Sequence, residues 1–157
     1  MASFYFRKKF VDLKTLVQKL NKELRISVQL RPFGRTKEMM LEVAPNDLRS
    51  VSQWLRSEET ARLDWVDNFS AAEVKSHIVL TVFLRSQALA ETLILKTEIP
   101  FQGMDKVSAD SLSDIWPMAK THEDEITALM GVEFSGSVAP EGPYPLRKDF
   151  SWEFDLA

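Results

Sequence analysis

Residues 12–24 carry apolar side chains at Leu13, Leu16, Val17, Leu20 and Leu24. That is the three- and four-residue spacing of a helix with one buried face, and Asp12 stands where it can cap the first turn. Ile26, Val28 and Leu30 then alternate with polar residues, the period of a half-buried strand. Arg31-Pro32-Phe33-Gly34 reads as a turn, and residues 39–43 as the return strand of a hairpin. Pro45-Asn46-Asp47 opens a second helix, with Leu48, Val51 and Leu55 facing inward and Trp54 beside them.

Three further strands are expected near residues 63–69, 76–85 and 92–98. The middle one is apolar on nearly both faces, because His77, Val79, Thr81 and Phe83 alternate with Ile78, Leu80, Val82 and Leu84. A central strand has this character. After a loop with Pro100 and Gly103, Trp116-Pro117 leads to a third helix over about 122–130. Thr121 with Asp124 makes a variant capping box there, and Gly131 a natural stop. The order α-β-β-α-β-β-β-α points to an α+β fold, with a mixed, mostly antiparallel sheet of about five strands and helices packed on it. Residues 1–131 make the domain. Residues 132–157, broken by Gly136, Pro140, Gly142, Pro143 and Pro145, form an irregular, extended C-terminal tail. Because this tail carries Phe134, Tyr144, Phe150, Trp152 and Phe154, it is too aromatic for a disordered segment. Its rings call for a surface to lie on, the domain's own or a partner's.

Charge adds a division the pattern does not show. Residues 1–37 hold ten of the twenty Lys and Arg against two acids, a local charge of +8. Ten basic and twenty-one acidic residues, −11, are left for the remainder. Such asymmetry suits a nucleic-acid arm, a membrane-surface patch or a protein contact, or two parts that neutralise each other within one fold. The basic stretch matches no groove-binding pattern. The chain has no cysteine, which excludes disulfides, thiolate catalysis and cysteine-ligated clusters or zinc. Its longest uncharged apolar run, residues 78–84, is far shorter than the roughly 20 residues a membrane helix needs. Residues 1–10 lack the apolar stretch of a secretory signal. The expectation is a soluble, intracellular domain.

Candidate chemistry is sparse. His122-Glu123 begins like a zinc-protease helix, but Ile126 stands where the second histidine is needed. His77 and His122 are the only imidazoles, too few for a zinc site without cysteine. No nucleophile elbow, phosphate loop or dinucleotide fingerprint occurs. Glu123, Asp124 and Glu125 diverge by about 100° per position and make a poor acid–base pair. They read more simply as acids at a helix N-terminus, each favoured by ~0.3–1 kcal/mol. Arg147-Lys148-Asp149 reads as a local ion pair or a docked protein contact. No catalytic, metal-binding or cofactor-binding residue is assigned.

One resemblance emerges from the order of several motifs. Trp116-Pro117-Met118-Ala119 is followed by Glu123-Asp124-Glu125, then by Leu129-Met130-Gly131-Val132-Glu133-Phe134-Ser135-Gly136, and finally by Pro145-Leu146-Arg147-Lys148-Asp149-Phe150. Together with residues 80–86, these resemble the 30-kDa subunit family of respiratory complex I, NADH:quinone oxidoreductase, and its relatives in membrane-bound hydrogenases. That family shows Trp-x-x-Ala, a Glu-Arg-Glu helix, an aspartate, Phe-Gly-Ile-x-Phe-x-Gly-His and a terminal Pro-Leu-Arg-Lys-Asp. This chain departs at Asp124, Ala128, Met130 and Ser137, which stand for the family's arginine, aspartate, phenylalanine and histidine. It keeps the terminal motif intact, so it reads as a divergent member.

The resemblance implies a non-catalytic subunit without cofactor, peripheral at the cytoplasmic face of the inner (plasma) membrane and packed against the 49-kDa-type subunit. It implies a role in assembling the quinone-reducing module, with the tail wrapping a neighbour. Glu123, Glu125, Gly131, Phe134, Pro145, Leu146, Arg147, Lys148, Asp149 and Phe150 are then the candidate partner contacts. The equivalent subunit of a hydrogenase-type complex is the alternative within the same class. A nucleic-acid-binding module built on the basic first 37 residues is the alternative from another.

Overall fold

A computed structural model describes residues 12–86, 92–103 and 106–137. Helix α1, Leu13–Leu24, is capped by Asp12, whose carboxylate accepts from the Lys14 amide at 3.1 Å and the Thr15 hydroxyl at 2.8 Å. It buries Leu16, Val17 and Leu20, the face its periodicity defines, and ends on Arg25 in the left-handed region at φ 55°. Strands β1, Gln29–Pro32, and β2, Met39–Glu42, form the hairpin. Alternation at Ile26, Val28 and Leu30 places the first strand too early. The Asn21 amide binds both the N–H and the C=O of Val28, at 2.9 and 3.0 Å. A side chain thus takes the place of a neighbouring strand there, and ladder pairing starts only at Gln29.

A single 3-10 turn, Pro45–Asp47, leads into α2, Leu48–Ser57, which buries Leu48, Val51, Trp54 and Leu55. Strands β3, Trp65–Val74, β4, His77–Arg85, and β5, Thr92–Pro100, follow as an antiparallel run. Sheet order is β1-β2-β5-β4-β3, and β2–β5 is the one parallel pair among four. Strand β4 is hydrogen-bonded on both sides, as its two-faced apolarity requires. Ile78, Leu80, Val82 and Leu84 pair across to Ile99, Thr97, Leu95 and Leu93 and build one buried face. Buried residues of α1, α2 and α3 join those apolar residues in a single core. The mixed α+β sheet with helices against it is the architecture the element order implies.

Two short strands are not legible in the sequence. Strand β6, Ser108–Asp110, pairs in parallel with β7, Glu133–Ser135, and α3, Ala119–Met130, crosses between them. Three residues are too few to display a period. Helix α3 also starts three residues before the expected His122, so Thr121 and Asp124 are no capping box. The cap position is Met118, without a side-chain bond. Turn bonds from Ala119 N–H to Trp116 C=O and from Lys120 N–H to Pro117 C=O, at 2.9 and 3.2 Å, start the helix instead.

Ion pairs tie part of the basic N-terminal region to later acids: Lys19 to Glu58 at 3.1 Å and Arg31 to Glu42 at 3.5 Å. The charge division is therefore partly closed within the fold. Among the described residues no helix is long and apolar enough to cross a membrane.

Within the core, the Thr97 hydroxyl is buried on the helix-covered face without a hydrogen-bond partner. An orphaned hydroxyl costs desolvation with no return. Thr97→Val keeps the shape and removes that penalty, so it is expected to raise stability by about 1 kcal/mol. Chemical denaturation reads this as a higher midpoint at unchanged slope, and a lowered midpoint would refute it.

Candidate functional site

Three of the family-like motifs, at residues 116–119, 123–125 and 129–136, lie on or beside the segment that runs from β6 through a loop at 111–116 into α3. Three other parts of the fold hold this loop. From α2, the Arg49 guanidinium donates to the Ser111 carbonyl at 3.0 Å and to Asp114 at 2.8 Å. This bond holds the Asp114 carboxyl below the usual carboxylate range. From the segment just before β3, the Leu63 carbonyl accepts from the Trp116 indole at 2.8 Å, and Trp116 itself is fully buried. From α3, Glu123 receives the Leu112 amide at 2.6 Å and the Ser111 hydroxyl at 2.8 Å.

Glu123 is only 1% exposed. Burial pushes its carboxyl above the ordinary glutamate range, and the bonds from Leu112 and Ser111 offset part of that rise. Two expectations change here. Glu123 cannot present its carboxylate to a partner, because the side chain points into the fold and both its oxygens are engaged there. The helix-dipole reading of the acidic triplet also fails. The first turn of α3 carries no acid, and Glu123 sits beyond the reach of the terminal amides.

The rest of α3 separates by face. Asp124 is half-buried and pairs with Lys120 at 3.5 Å, one helical turn back. Thr121, Glu125, Ala128 and Leu129 are exposed along the opposite stripe, Leu129 at 62%. Leu129 lies one helical turn from the exposed Glu125. Gly131 ends the helix at φ 71°, a conformation glycine adopts without the steric cost of a Cβ. The Thr127 hydroxyl bonds the Val132 carbonyl at 2.7 Å, and Val132 is fully buried. Phe134 packs edge-on against Phe69, with ring centroids 5.7 Å apart, and is half-buried. Residues 132–135, the beginning of the expected tail, thus lie in this layer. Pro145, Leu146, Arg147, Lys148, Asp149 and Phe150 lie outside the described residues.

Of the described candidates, Glu125 and Gly131 reach the surface, Phe134 does so in part, and Glu123 does not. Arg49, Ser111, Ser113 and Asp114 are participants that sequence reading missed. Arg49 meets its partners across 62 and 65 residues of chain, and no local pattern signals that. Among the described residues no cluster of three His, Cys, Asp or Glu side chains could hold a metal. A shallow cleft of about 320 Å³ beside β2 and β5 is lined by Glu42, Lys96 and Glu98, whose charges already pair with Arg31 and with each other.

Residues 41–155 match a family model described as the respiratory-chain NADH dehydrogenase, 30 Kd subunit. The fold is similar to that of the trypsin-resistant fragment (1-134) of Nqo5, with a TM-score of 0.62 at 10% identity, over 82% of this chain and 98% of that one. It is also similar to a chain of the membrane-bound sulfane sulfur reductase, an archaeal respiratory membrane complex. There the TM-score is 0.64 at 21% identity, over 89% of this chain and 86% of that one. At such identities the likeness speaks for the fold. Among curated protein sequences none matches.

Proposed function

The chain belongs to the family of the 30-kDa subunit of respiratory-chain NADH dehydrogenase, and we propose that it serves as a non-catalytic, cofactor-free peripheral-arm subunit of such a complex. In this reading it helps assemble the quinone-reducing module beside the 49-kDa-type subunit. It is held at the cytoplasmic face of the inner membrane through its neighbours. The family match carries the proposal, since it spans β3, β4, β5, α3 and the Pro-Leu-Arg-Lys-Asp segment alike. The exposed stripe of Glu125, Ala128 and Leu129 supports it, because it offers an apolar and acidic surface in the helix that precedes β7 and residues 138–157. Glu125, Gly131, Phe134 and Pro145 through Phe150 are the proposed contacts. The charged ones among them contribute specificity more than affinity. The nucleic-acid alternative finds no support in the family match or the fold relatives.

Trypsin tests the tail directly. Beyond residue 134 the chain offers it only Arg147 and Lys148. The isolated protein is expected to be cut there, whereas the protein assembled in native membranes is expected to keep those bonds intact. Equal cleavage in both states would remove the tail from the contact surface. The trypsin-resistant fragment of Nqo5 makes protease a natural probe.

A second reading keeps the same role in a related membrane-bound complex of hydrogenase type. The charge reversal at Asp124 and the replacements Ala128, Met130 and Ser137 favour a neighbour with an altered surface. Mass spectrometry of subunits that co-purify with the tagged chain separates the two: the donor-side subunits of an NADH dehydrogenase are expected under the first reading and absent under the second.

A further inference from the structure

We propose that Glu123, Ser111 and Ser113 form a built-in proton site, able to hold Glu123 as either carboxylate or carboxylic acid without releasing the 111–116 loop. The geometry carries this. Glu123 is almost fully buried, one oxygen takes the Leu112 amide at 2.6 Å, and the other meets the Ser111 hydroxyl oxygen at 2.8 Å. Ser111 Oγ in turn lies 2.7 Å from Ser113 Oγ, in a pair where either oxygen can donate, and accepts the Ser113 amide at 3.1 Å.

A serine hydroxyl has one proton and two acceptor sites. With Glu123 ionised, Ser111 donates to the carboxylate and accepts from the Ser113 amide and the Ser113 hydroxyl. With Glu123 protonated, the acid donates to Ser111 Oγ, which still accepts the Ser113 amide and turns its own proton to Ser113 Oγ. Every partner of Ser111 remains satisfied in both states, and the Leu112 bond is untouched. The added proton comes from solvent and resides on Glu123. Ser113 is half-buried, so its displaced hydroxyl proton has access to water.

The charges that act on Glu123 are those of Asp124 and Lys120 on its own helix, with further charged pairs around the loop that carries Ser111. Lys120 and Asp124 on α3 are paired with each other, and Arg49 on α2 is paired with Asp114 of the loop, beside Asp110 at the end of β6. No single one of them dominates, and burial is the largest influence on Glu123, in the direction of the protonated form. The folded chain therefore binds this proton more tightly than the unfolded chain. Its stabilising contribution is fully present below about pH 4.3, the ordinary glutamate value, and is lost as pH rises through the higher folded value.

This inference is independent of the assembly role, and its test uses the full chain alone. Carboxyl-carbon NMR titration of glutamate-labelled protein, with Glu123→Gln to assign the resonance, is expected to give a Glu123 midpoint above that of free glutamate. The Leu112 amide is expected to shift at the same midpoint while staying protected from exchange on both sides of it. In Ser111→Ala, Leu112 protection is expected to fall roughly fivefold on the acid side, the loss of one hydrogen bond. If Glu123→Gln fails to fold, the Leu112 amide titration in the unaltered protein reports the same midpoint. A Glu123 midpoint at or below the free value, or loss of Leu112 protection on protonation, would overturn the proposal.

Discussion

Trp116→Ala is expected to lower the folding stability by about 3–5 kcal/mol. The indole is fully buried where the loop enters α3, so its removal leaves a cavity that the surrounding core closes only in part. It also takes away the donor that satisfies the Leu63 carbonyl at the entrance to β3. A domain of this size has about 5–15 kcal/mol in total, so about a fifth or more of it rests on one side chain. Trp116→Phe separates the two contributions. It restores most of the volume but not the donor, and should cost about 1–3 kcal/mol. Urea unfolding measures both, and a loss below about 1 kcal/mol for the alanine variant would show that the core relaxes around the gap.

Glu123→Ala ranks second, at about 2–4 kcal/mol. The reason is asymmetric. Alanine is a better helix former, yet the truncation strands the Leu112 amide inside the fold and leaves the Ser111 hydroxyl only its Ser113 partners. Glu123→Gln supplies one acceptor for Leu112 and one donor for Ser111, and should recover most of the loss at neutral pH. Urea midpoints for the pair decide it. If glutamine were as damaging as alanine, the carboxylate charge rather than its hydrogen bonds would be holding the loop. In the assembled complex the same variant gives a second reading: a loosened loop shifts α3 and with it the exposed stripe at Glu125 and Leu129.

The family resemblance is legible because its residues are mostly local in sequence. Trp-x-x-Ala, the acidic helix and Pro-Leu-Arg-Lys-Asp can each be read over a few positions, and the match over 41–155 agrees with them. Residue roles within the motif are less legible. Glu123 and Glu125 are two positions apart and equally acidic, but about 200° of helical rotation separates them. One turns into the core and the other to the surface. The expected capping box fails for a related reason: Thr121 and Asp124 have suitable chemistry, but the helix is already under way at Ala119.

Periodicity determined the parts of this protein whose burial is a property of one element. The single stripe of α1, the inward residues of α2 and the doubly apolar β4 follow from side-chain spacing, because one solvent-averse face must be covered whatever covers it. The absence of cysteine likewise settled which chemistries were closed. Tertiary structure alone decided the parallel pairing of β2 with β5, the β6–β7 pair, the Asn21 brace that delays β1, and the hydrogen-bond partners of Glu123. In each of these a polar group is satisfied by another that arrives from elsewhere in the fold. A buried amide or carboxylate demands a partner, but nothing in its own stretch of chain says where that partner comes from.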